Sequence, residues 1–269
     1  MNRKPASTPL VFALLLAACP SPEDDDGADL DETTILTTAK RSAELFSQTA
    51  ALAIIAIDPL AEGVTDAADA AAKTAGAASS YFDEPGCIAA AVDPSTATAT
   101  LTFDDCDGPF GFADVNGEVL LAFTRVGAGL SMTLASNGDL EVDAASVRFD
   151  FTVTIPDLAD PRTVVVSTSS RLSLSDGFTL GHDGEFTLAL DESLCFTLAG
   201  ELATVAAART FTTTIDDFRR CAGGCPDGGV TMTVGTRSLA VLFDGDASAE
   251  IIVTSPDATS TIPLPLLCF

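Results

Sequence analysis

The sequence predicts an α+β protein that is mainly β, with an N-terminal helical segment followed by a long antiparallel meander. Apolar residues recur every three or four positions over residues 33–57, which is the period of a helix with one apolar face. After Cys87, apolar and polar residues alternate, as in strands of an antiparallel sheet with one buried face. Because a long meander must cover its apolar face, we expect a curved sheet or open barrel around the helix.

The helical segment is expected to cover residues 33–80. Asp31 or Thr33 can cap its start, and Asp58-Pro59 ends the first helix because the residue before a proline avoids helical geometry. Pro59 can open a second, alanine-rich helix over residues 60–80. The apolar stripe of the first helix consists of Ile35, Ala39, Ala43, Phe46, Ala50, Ile54 and Ile57.

The alternating segments predict about ten to twelve antiparallel strands over residues 87–269. Clear examples are residues 147–155, 171–174, 186–191 and 230–234. No long helical pattern interrupts residues 95–267, so a parallel sheet built from βαβ units is not expected. Dipeptides typical of hairpin turns lie at Asn116-Gly117, Asn137-Gly138, Asp176-Gly177, Asp183-Gly184 and Asp244-Gly245.

Residues 1–18 are typical of a signal peptide. Arg3 and Lys4 supply positive charge, and the apolar run that follows is too short to cross a bilayer as a helix. The run ends in Leu-Ala-Ala before Cys19, which resembles the lipobox of bacterial lipoproteins. This resemblance implies that Cys19 becomes the N-terminus and carries acyl chains such as palmitate, which attach the protein stably to a membrane. Pro20 in place of an aspartate favours the outer membrane by analogy with Gram-negative cells.

Residues 19–32 predict a disordered, acidic tether, and residues 33–269 predict a single domain. The stretch after Cys19 contains two prolines, a glycine and no basic residue, so it cannot form a packed core. Its acidic residues are Glu23, Asp24, Asp25, Asp26, Asp29, Asp31 and Glu32.

The cysteines other than Cys19 predict disulfides, because an even number of cysteines in an exported chain usually pairs. A zinc site is the weaker alternative, since the chain has no C-x-x-C pair and its single histidine, His182, stands outside any ligand cluster. We expect the pairs Cys87–Cys106, Cys221–Cys225 and Cys195–Cys268.

The charge of the chain excludes one class of partner. With 39 acidic and 13 basic residues, the formal net charge is −26, which repels nucleic acids and anionic membrane surfaces. We attribute this acidity to solubility outside the cell rather than to a specific basic partner.

Motifs that carry chemistry are scarce. His182 lies between two predicted strands, where we expect it in a turn, and no G-x-S-x-G motif accompanies it. No phosphate-binding loop or dinucleotide fingerprint is present, so no cofactor is expected. Weak calcium candidates are the carboxylates of two acidic loops, which do not match the known twelve-residue calcium loop. These are Asp104, Asp105, Asp107, Asp244 and Asp246.

The lipobox, the acidic tether, the hairpin ladder and the cysteine-containing stretch over residues 209–225 resemble uncharacterised lipoproteins of deltaproteobacterial or myxobacterial type. The resemblance implies a cell-envelope location, facing the periplasm or the cell surface, and no particular activity. We therefore expect a non-catalytic structural or interaction module whose partners are the membrane, through its anchor, and an envelope protein. The alternative is a carrier or sensor of an apolar ligand such as a lipid, held between the sheet and the first helix. Its cavity would be lined by Phe46, Ala50, Ile54 and Ile57.

Overall fold

Two α-helices precede a fourteen-stranded antiparallel sheet in the computed structural model of this chain. The structure describes residues 32–265 except 109–111, 144, 159–161, 192, 194, 207–208 and 222–223. The predicted signal peptide, the predicted acylation site Cys19, residues 20–31 of the predicted tether and Cys268 lie outside the described residues. The elements below belong to one compact unit, Glu32–Phe269.

Helix α1 spans Glu32–Ile57 and helix α2 spans Ala67–Ala77. The first agrees with the predicted helix over residues 33–57. The second is shorter than the predicted 60–80, because Gly63 adopts a φ of 88° and interrupts the helical path. Asp66 then caps the new helix, its side chain accepting a hydrogen bond from the Asp69 backbone N–H at 2.9 Å. Short 3₁₀ helices lie at Asp58–Glu62, Ala78–Tyr81 and Pro85–Cys87.

The strands follow one another as a meander, and almost every strand pairs with its neighbours in the sequence. The exception is β5, which pairs with β3 and β6 while β4 also pairs with β6. The sheet is curved and open, with β1 and β14 at its two edges, which confirms the predicted fold class. The strands are β1 (Ile88–Asp93), β2 (Thr98–Cys106), β3 (Val115–Val126), β4 (Gly129–Ser136), β5 (Leu140–Val142), β6 (Ala145–Ile155), β7 (Thr163–Leu174), β8 (Thr179–Leu190), β9 (Cys195–Ala206), β10 (Arg209–Cys221), β11 (Asp227–Val234), β12 (Arg237–Asp244), β13 (Ser248–Thr254) and β14 (Thr259–Pro265).

The sequence alternation corresponds to the two faces of this sheet. In β6, every second residue from Val147 to Ile155 is buried, and the residues between them are exposed or half-buried. Helix α1 lies against β7, β8 and β12, whereas α2 lies against β1, β2 and β3. The two helices therefore cover different parts of the sheet, and the core lies between helices and sheet.

Two of the five predicted hairpin turns are present, at Asp176-Gly177 between β7 and β8 and at Asp244-Gly245 between β12 and β13. The other three predictions are wrong. Asn116-Gly117 lies within β3, Asp183-Gly184 lies within β8, and Asn137-Gly138 joins β4 to β5, which run in the same direction along β6 and do not pair with each other. The two glycines within strands, Gly117 and Gly184, serve close approach of neighbouring strands rather than reversal of the chain. A Cβ atom on Gly184 would lie 2.8 Å from the carbonyl oxygen of Glu201 and 2.9 Å from Cα of Leu202.

Two disulfides join neighbouring strands or their ends, Cys87–Cys106 and Cys195–Cys221. The first was expected. The expected pairs Cys221–Cys225 and Cys195–Cys268 are wrong, because the register of β9 and β10 places Cys195 directly opposite Cys221. Cys225 is also disulfide-bonded. Stable disulfides of this kind indicate an oxidising compartment outside the cytoplasm. None of the helices in the described part of the chain has both the length and the apolarity needed to cross a membrane.

We expect Gly200→Ala to lower the free energy of unfolding by about 2–3 kcal/mol. A Cβ atom at this position in β9 would lie 2.6 Å from both the Glu185 carbonyl oxygen and Cα of Phe186, so the backbone of β8 would have to move. Urea titration of the two proteins measures the difference.

The matched control is Gly76→Ala in α2, where a Cβ atom would meet nothing within 4 Å. This change is expected to stabilise the protein by about 0.5–1 kcal/mol, because alanine restricts the unfolded chain more than glycine does. Equal effects of the two substitutions would contradict the close approach of β8 and β9.

Candidate functional site

The space between α1 and the sheet is filled by side chains of α1. Phe46, Ala50, Ile54 and Ile57, predicted to line an apolar cavity, are each no more than 2% exposed. A side chain lining a cavity large enough for water would retain accessible area, so these four side chains contact other protein atoms. The side chains of Ile35, Ala39 and Ala43, from the same predicted stripe, lie outside the described part of the structure.

His182 lies at the centre of this interface, and its prediction as a turn residue is wrong. It belongs to β8, points to the buried face and is 1% exposed. Its Nε2 atom lies 2.8 Å from the Oγ atom of Ser42 in α1. Its ring stacks on Phe46, with ring centroids 4.1 Å apart and the planes inclined by 15°. The helix and the sheet are therefore joined by one hydrogen bond and one ring contact at the same residue.

His182 is part of a row of polar side chains that crosses four strands on the buried face. Ser170 of β7 and Thr204 of β9 lie directly opposite it on either side. The hydroxyls of Thr204 and Thr213 in β10 are 2.6 Å apart and form a hydrogen bond. Together with Thr168 in β7, these residues are at most 6% exposed. We call Thr168, Ser170, His182, Thr204 and Thr213 the polar row.

The alternation of residues in β7 contains a sequence signal for the polar row, although the Asp183-Gly184 dipeptide next to His182 suggests a turn. In β7, Val164, Val166 and Leu172 are buried at every second position, and Thr168 and Ser170 occupy the same parity. Polar residues at inward positions of an otherwise apolar strand face are the exception in a core and indicate a buried polar cluster. Within the described residues, Thr204 bonds to Thr213, whereas the hydroxyls of Thr168 and Ser170 have no hydrogen-bond partner. The alternation of buried and exposed residues in β7 and β8 therefore predicts that these side chains lie on the buried face of the sheet, which α1 covers.

Burial lowers the pKa of His182 to about 3, because the charged ring would lose its hydration. The imidazole is therefore neutral at pH 7. A serine hydroxyl beside a neutral histidine occurs in nucleophilic catalysis, where a third group orients the ring. Here Ser42 and His182 are each 1% exposed, and no carboxylate among the described residues is hydrogen-bonded to the ring. The pair attaches α1 to the sheet.

The first group of calcium candidates lies at the end of β2. Asp105 adopts a φ of 57°, and its backbone N–H donates to the side chain of Asn116 at 2.9 Å. The carboxylate of Asp107 accepts a hydrogen bond from the backbone N–H of Asp114 at 3.0 Å. Asp104 is exposed on β2. Asp105 and Asp107 thus stabilise the irregular connection between β2 and β3.

In the second group, Asp244 is the last residue of β12 and Asp246 lies in the turn that leads to β13. Asp244 accepts hydrogen bonds from the backbone N–H of Asp246 at 2.9 Å and from the hydroxyl of Ser248 at 2.8 Å. These bonds, led by that from Asp246, hold the pKa of Asp244 below its usual value. Over the described residues, no three or more His, Cys, Asp or Glu side chains are grouped so that they could hold a metal ion.

An open pocket of about 550 Å³ is lined by the 3₁₀ helix that follows α1, by α2 and the 3₁₀ helix after it, and by Arg162 just before β7. Asp58, Lys73, Tyr81 and Arg162 contribute its charged and polar lining. The Tyr81 hydroxyl donates to the Asp58 carboxylate, and Lys73 donates to the Gly63 carbonyl oxygen, both at 2.5 Å. The lining thus combines opposite charges that are already engaged within the protein. No motif in the sequence indicates this pocket, because it forms only where the fold brings Arg162 to the segment of residues 58–81.

Comparison of the chain with known protein families, with curated proteins and with solved structures gave no match.

The stability of the protein is expected to fall as the pH drops from about 6.5 towards 3, by about 1.4 kcal/mol per pH unit from His182 alone. The folded-state pKa of about 3 lies below the ordinary value of 6.5, so the unfolded chain binds the proton first. Urea titrations at about pH 7, 5.5 and 4.5 measure this loss. The variant His182→Gln carries the same carboxylates and should lack this component.

The single histidine also allows a direct test by NMR, since all imidazole ring signals belong to His182. We expect these signals to remain unchanged from pH 7 to about pH 4.5 while the protein stays folded. A ring that titrates near 6.5 in the folded protein would show that it is open to solvent.

Ser42→Ala is expected to lower the free energy of unfolding by about 1–3 kcal/mol, because it leaves Nε2 of His182 buried without a partner. Ser170→Ala is the matched control. The Ser170 hydroxyl is buried, with no hydrogen-bond partner among the described residues, so its removal should cost little. A larger loss of stability for Ser42→Ala than for Ser170→Ala in urea titrations would show that the hydrogen bond to His182 stabilises the fold. Equal losses would mean that removal of any buried hydroxyl has this effect.

Proposed function

We propose that this protein is a non-catalytic interaction module of the cell envelope, held at a membrane by acyl chains on Cys19. The observation that carries the proposal is the pair of disulfides within the sheet, Cys87–Cys106 and Cys195–Cys221. Such bonds belong to proteins of oxidising compartments. A lipobox ahead of a domain of this kind supports attachment at the outer membrane, facing the periplasm or the cell surface.

The character of the folded domain supports binding rather than catalysis. The residue pair that most resembles catalytic machinery, Ser42 and His182, is closed off beneath α1. Large exposed apolar side chains are scattered over the strands rather than gathered at one place; they are Val92, Leu120, Val126, Val205 and Leu242. The net charge of −26, which the sequence alone led us to attribute to solubility, also attracts basic partners at long range and raises their association rates.

The carrier alternative needs a conformational change that the interaction module does not. Phe46, Ala50, Ile54 and Ile57 have almost no accessible surface, so α1 would have to leave the sheet to admit an apolar ligand. Such a movement would also break the hydrogen bond between Ser42 and His182. The packed helix therefore supports the interaction module as the better proposal.

The anchor predicts a specific chemical form of the mature protein. Mass spectrometry of the N-terminal peptide from detergent-extracted protein is expected to show a chain that begins at Cys19 and carries acyl chains. Cys19→Ala should abolish this mass, whereas Ser21→Ala, in the same segment, should retain it. A mature N-terminus elsewhere, or an unmodified Cys19, would contradict the anchoring proposal.

Native mass spectrometry of the same detergent-extracted protein separates the interaction module from the carrier. The module predicts the mass of the polypeptide with its own acyl chains. A further bound lipid, with an occupancy that rises in Ser42→Ala because that change weakens the attachment of α1 to the sheet, would instead favour the carrier.

A further inference from the structure

The sheet has two edges, and each edge strand has backbone groups that its one neighbour cannot satisfy. In an antiparallel pair, alternate residues direct their N–H and C=O groups towards the partner and the others direct them away. Strand β1 pairs with β2 over all six of its residues without a bulge. Among the described residues, no strand pairs with its other side. Its outward groups are therefore a template for a further strand.

The two edges differ in how they are protected against such pairing. Strand β14 contains Pro263 and Pro265, which have no N–H to donate, and proline is a common protective device at sheet edges. Strand β1 reads Ile-Ala-Ala-Ala-Val-Asp and has neither proline nor lysine. Five of its six residues are exposed. The edge at β1 is therefore accessible and unprotected.

Strand β1 is also held in place at both ends. The disulfide Cys87–Cys106 joins the residue before β1 to the last residue of β2. At the other end, the Asp93 carboxylate accepts hydrogen bonds from the Ser95 backbone N–H at 2.9 Å and from its hydroxyl at 2.6 Å. A strand that is fixed before binding loses little conformational entropy when a partner docks, which favours affinity.

The charge around β1 indicates the chemistry of its partner. The sequence from Thr74 to Thr124 contains no Lys or Arg. An acidic corner of exposed residues surrounds the disulfide at the start of β1, and consists of Asp83, Glu84, Asp104, Asp105 and Asp107. This charge repels a second copy of the chain, whose net charge is also −26, and attracts a basic segment.

We infer that β1 is the docking site for an extended, basic segment of another envelope protein, which adds to the sheet as a further strand. The inference rests on the proposed function and names its binding surface and its class of partner. Backbone hydrogen bonds along Ile88–Asp93 provide the pairing, and the acidic corner provides the preference for lysine and arginine side chains.

The binding test uses the full mature protein in non-ionic detergent and fluorescent peptides of about eight residues, a typical strand length. A peptide of alternating valine and lysine is expected to bind saturably, with an affinity that falls as salt is added. A peptide of alternating valine and glutamate should not bind. The valine–lysine peptide with N-methyl groups at alternate residues retains its charge but loses donors, and should bind at least about tenfold more weakly.

A pair of variants tests the edge itself. Ala90 and Ala91 are neighbours in β1, so they direct their backbone N–H groups to opposite sides. Of Ala90→Pro and Ala91→Pro, one removes only the outward donor and places a proline ring on the free edge. That variant is expected to keep the wild-type unfolding midpoint and to lose peptide binding. The other removes a bond to β2 and should lower the midpoint.

Four results would overturn the inference. They are failure of the valine–lysine peptide to bind, equal binding of its N-methylated form, wild-type binding by both proline variants, and a sedimentation profile showing a dimer that the peptide dissociates. The last would make a second copy the occupant. Acylated Cys19 together with an envelope partner crosslinked to another surface would leave the proposed function standing while the β1 inference fails. Peptide binding by a protein whose Cys19 is not acylated would support the β1 inference and contradict the proposed anchoring.

Discussion

An open, curved sheet with an apolar face needs a cover, and the rest of this structure depends on the contact between α1 and that face. Most of the contact is aliphatic and non-directional. The hydrogen bond between Ser42 and His182, with the ring of Phe46 stacked on the imidazole, supplies direction at one point. An apolar surface alone would allow the helix to slide or rotate. A buried hydrogen bond fixes the position of the helix, because both polar atoms would lose their partner if the helix moved. Burial in this contact keeps His182 neutral and away from solvent.

Much of the fold could be predicted because periodicity is a local property. The stripe that contains Phe46 and Ile54 specified α1, and the alternation in residues 147–155 specified a strand with one buried face. The shorter α2 and the three Asx-Gly dipeptides that are not hairpin turns show that local sequence signals do not determine every break or reversal of the chain. Gly184 resembles a turn glycine in sequence, but it is required by the approach of β9, which is 17 or 18 residues away in the chain at Glu201 and Leu202.

The candidate site could be predicted less well, because it depends on register between distant strands. Cys195 bonds to Cys221 since β9 and β10 place them opposite each other, and spacing along the chain does not contain that information. The position of His182 beneath Ser42 likewise joins residues 140 apart in sequence. The burial of the His182 side chain could be predicted, because it occupies the same alternate positions of β8 as Leu180 and Phe186. The residue of α1 that it contacts could not be predicted in this way.

The meander has a consequence for how the chain acquires its structure after export. Each new strand pairs almost always with the one made just before it, so the contacts that build the sheet are local in sequence and close quickly. A chain that enters the oxidising compartment N-terminus first delivers α1 and α2 before any strand. Successive hairpins can then pack against helices that have already entered the compartment. The apolar face of the growing sheet is therefore covered before translocation is complete.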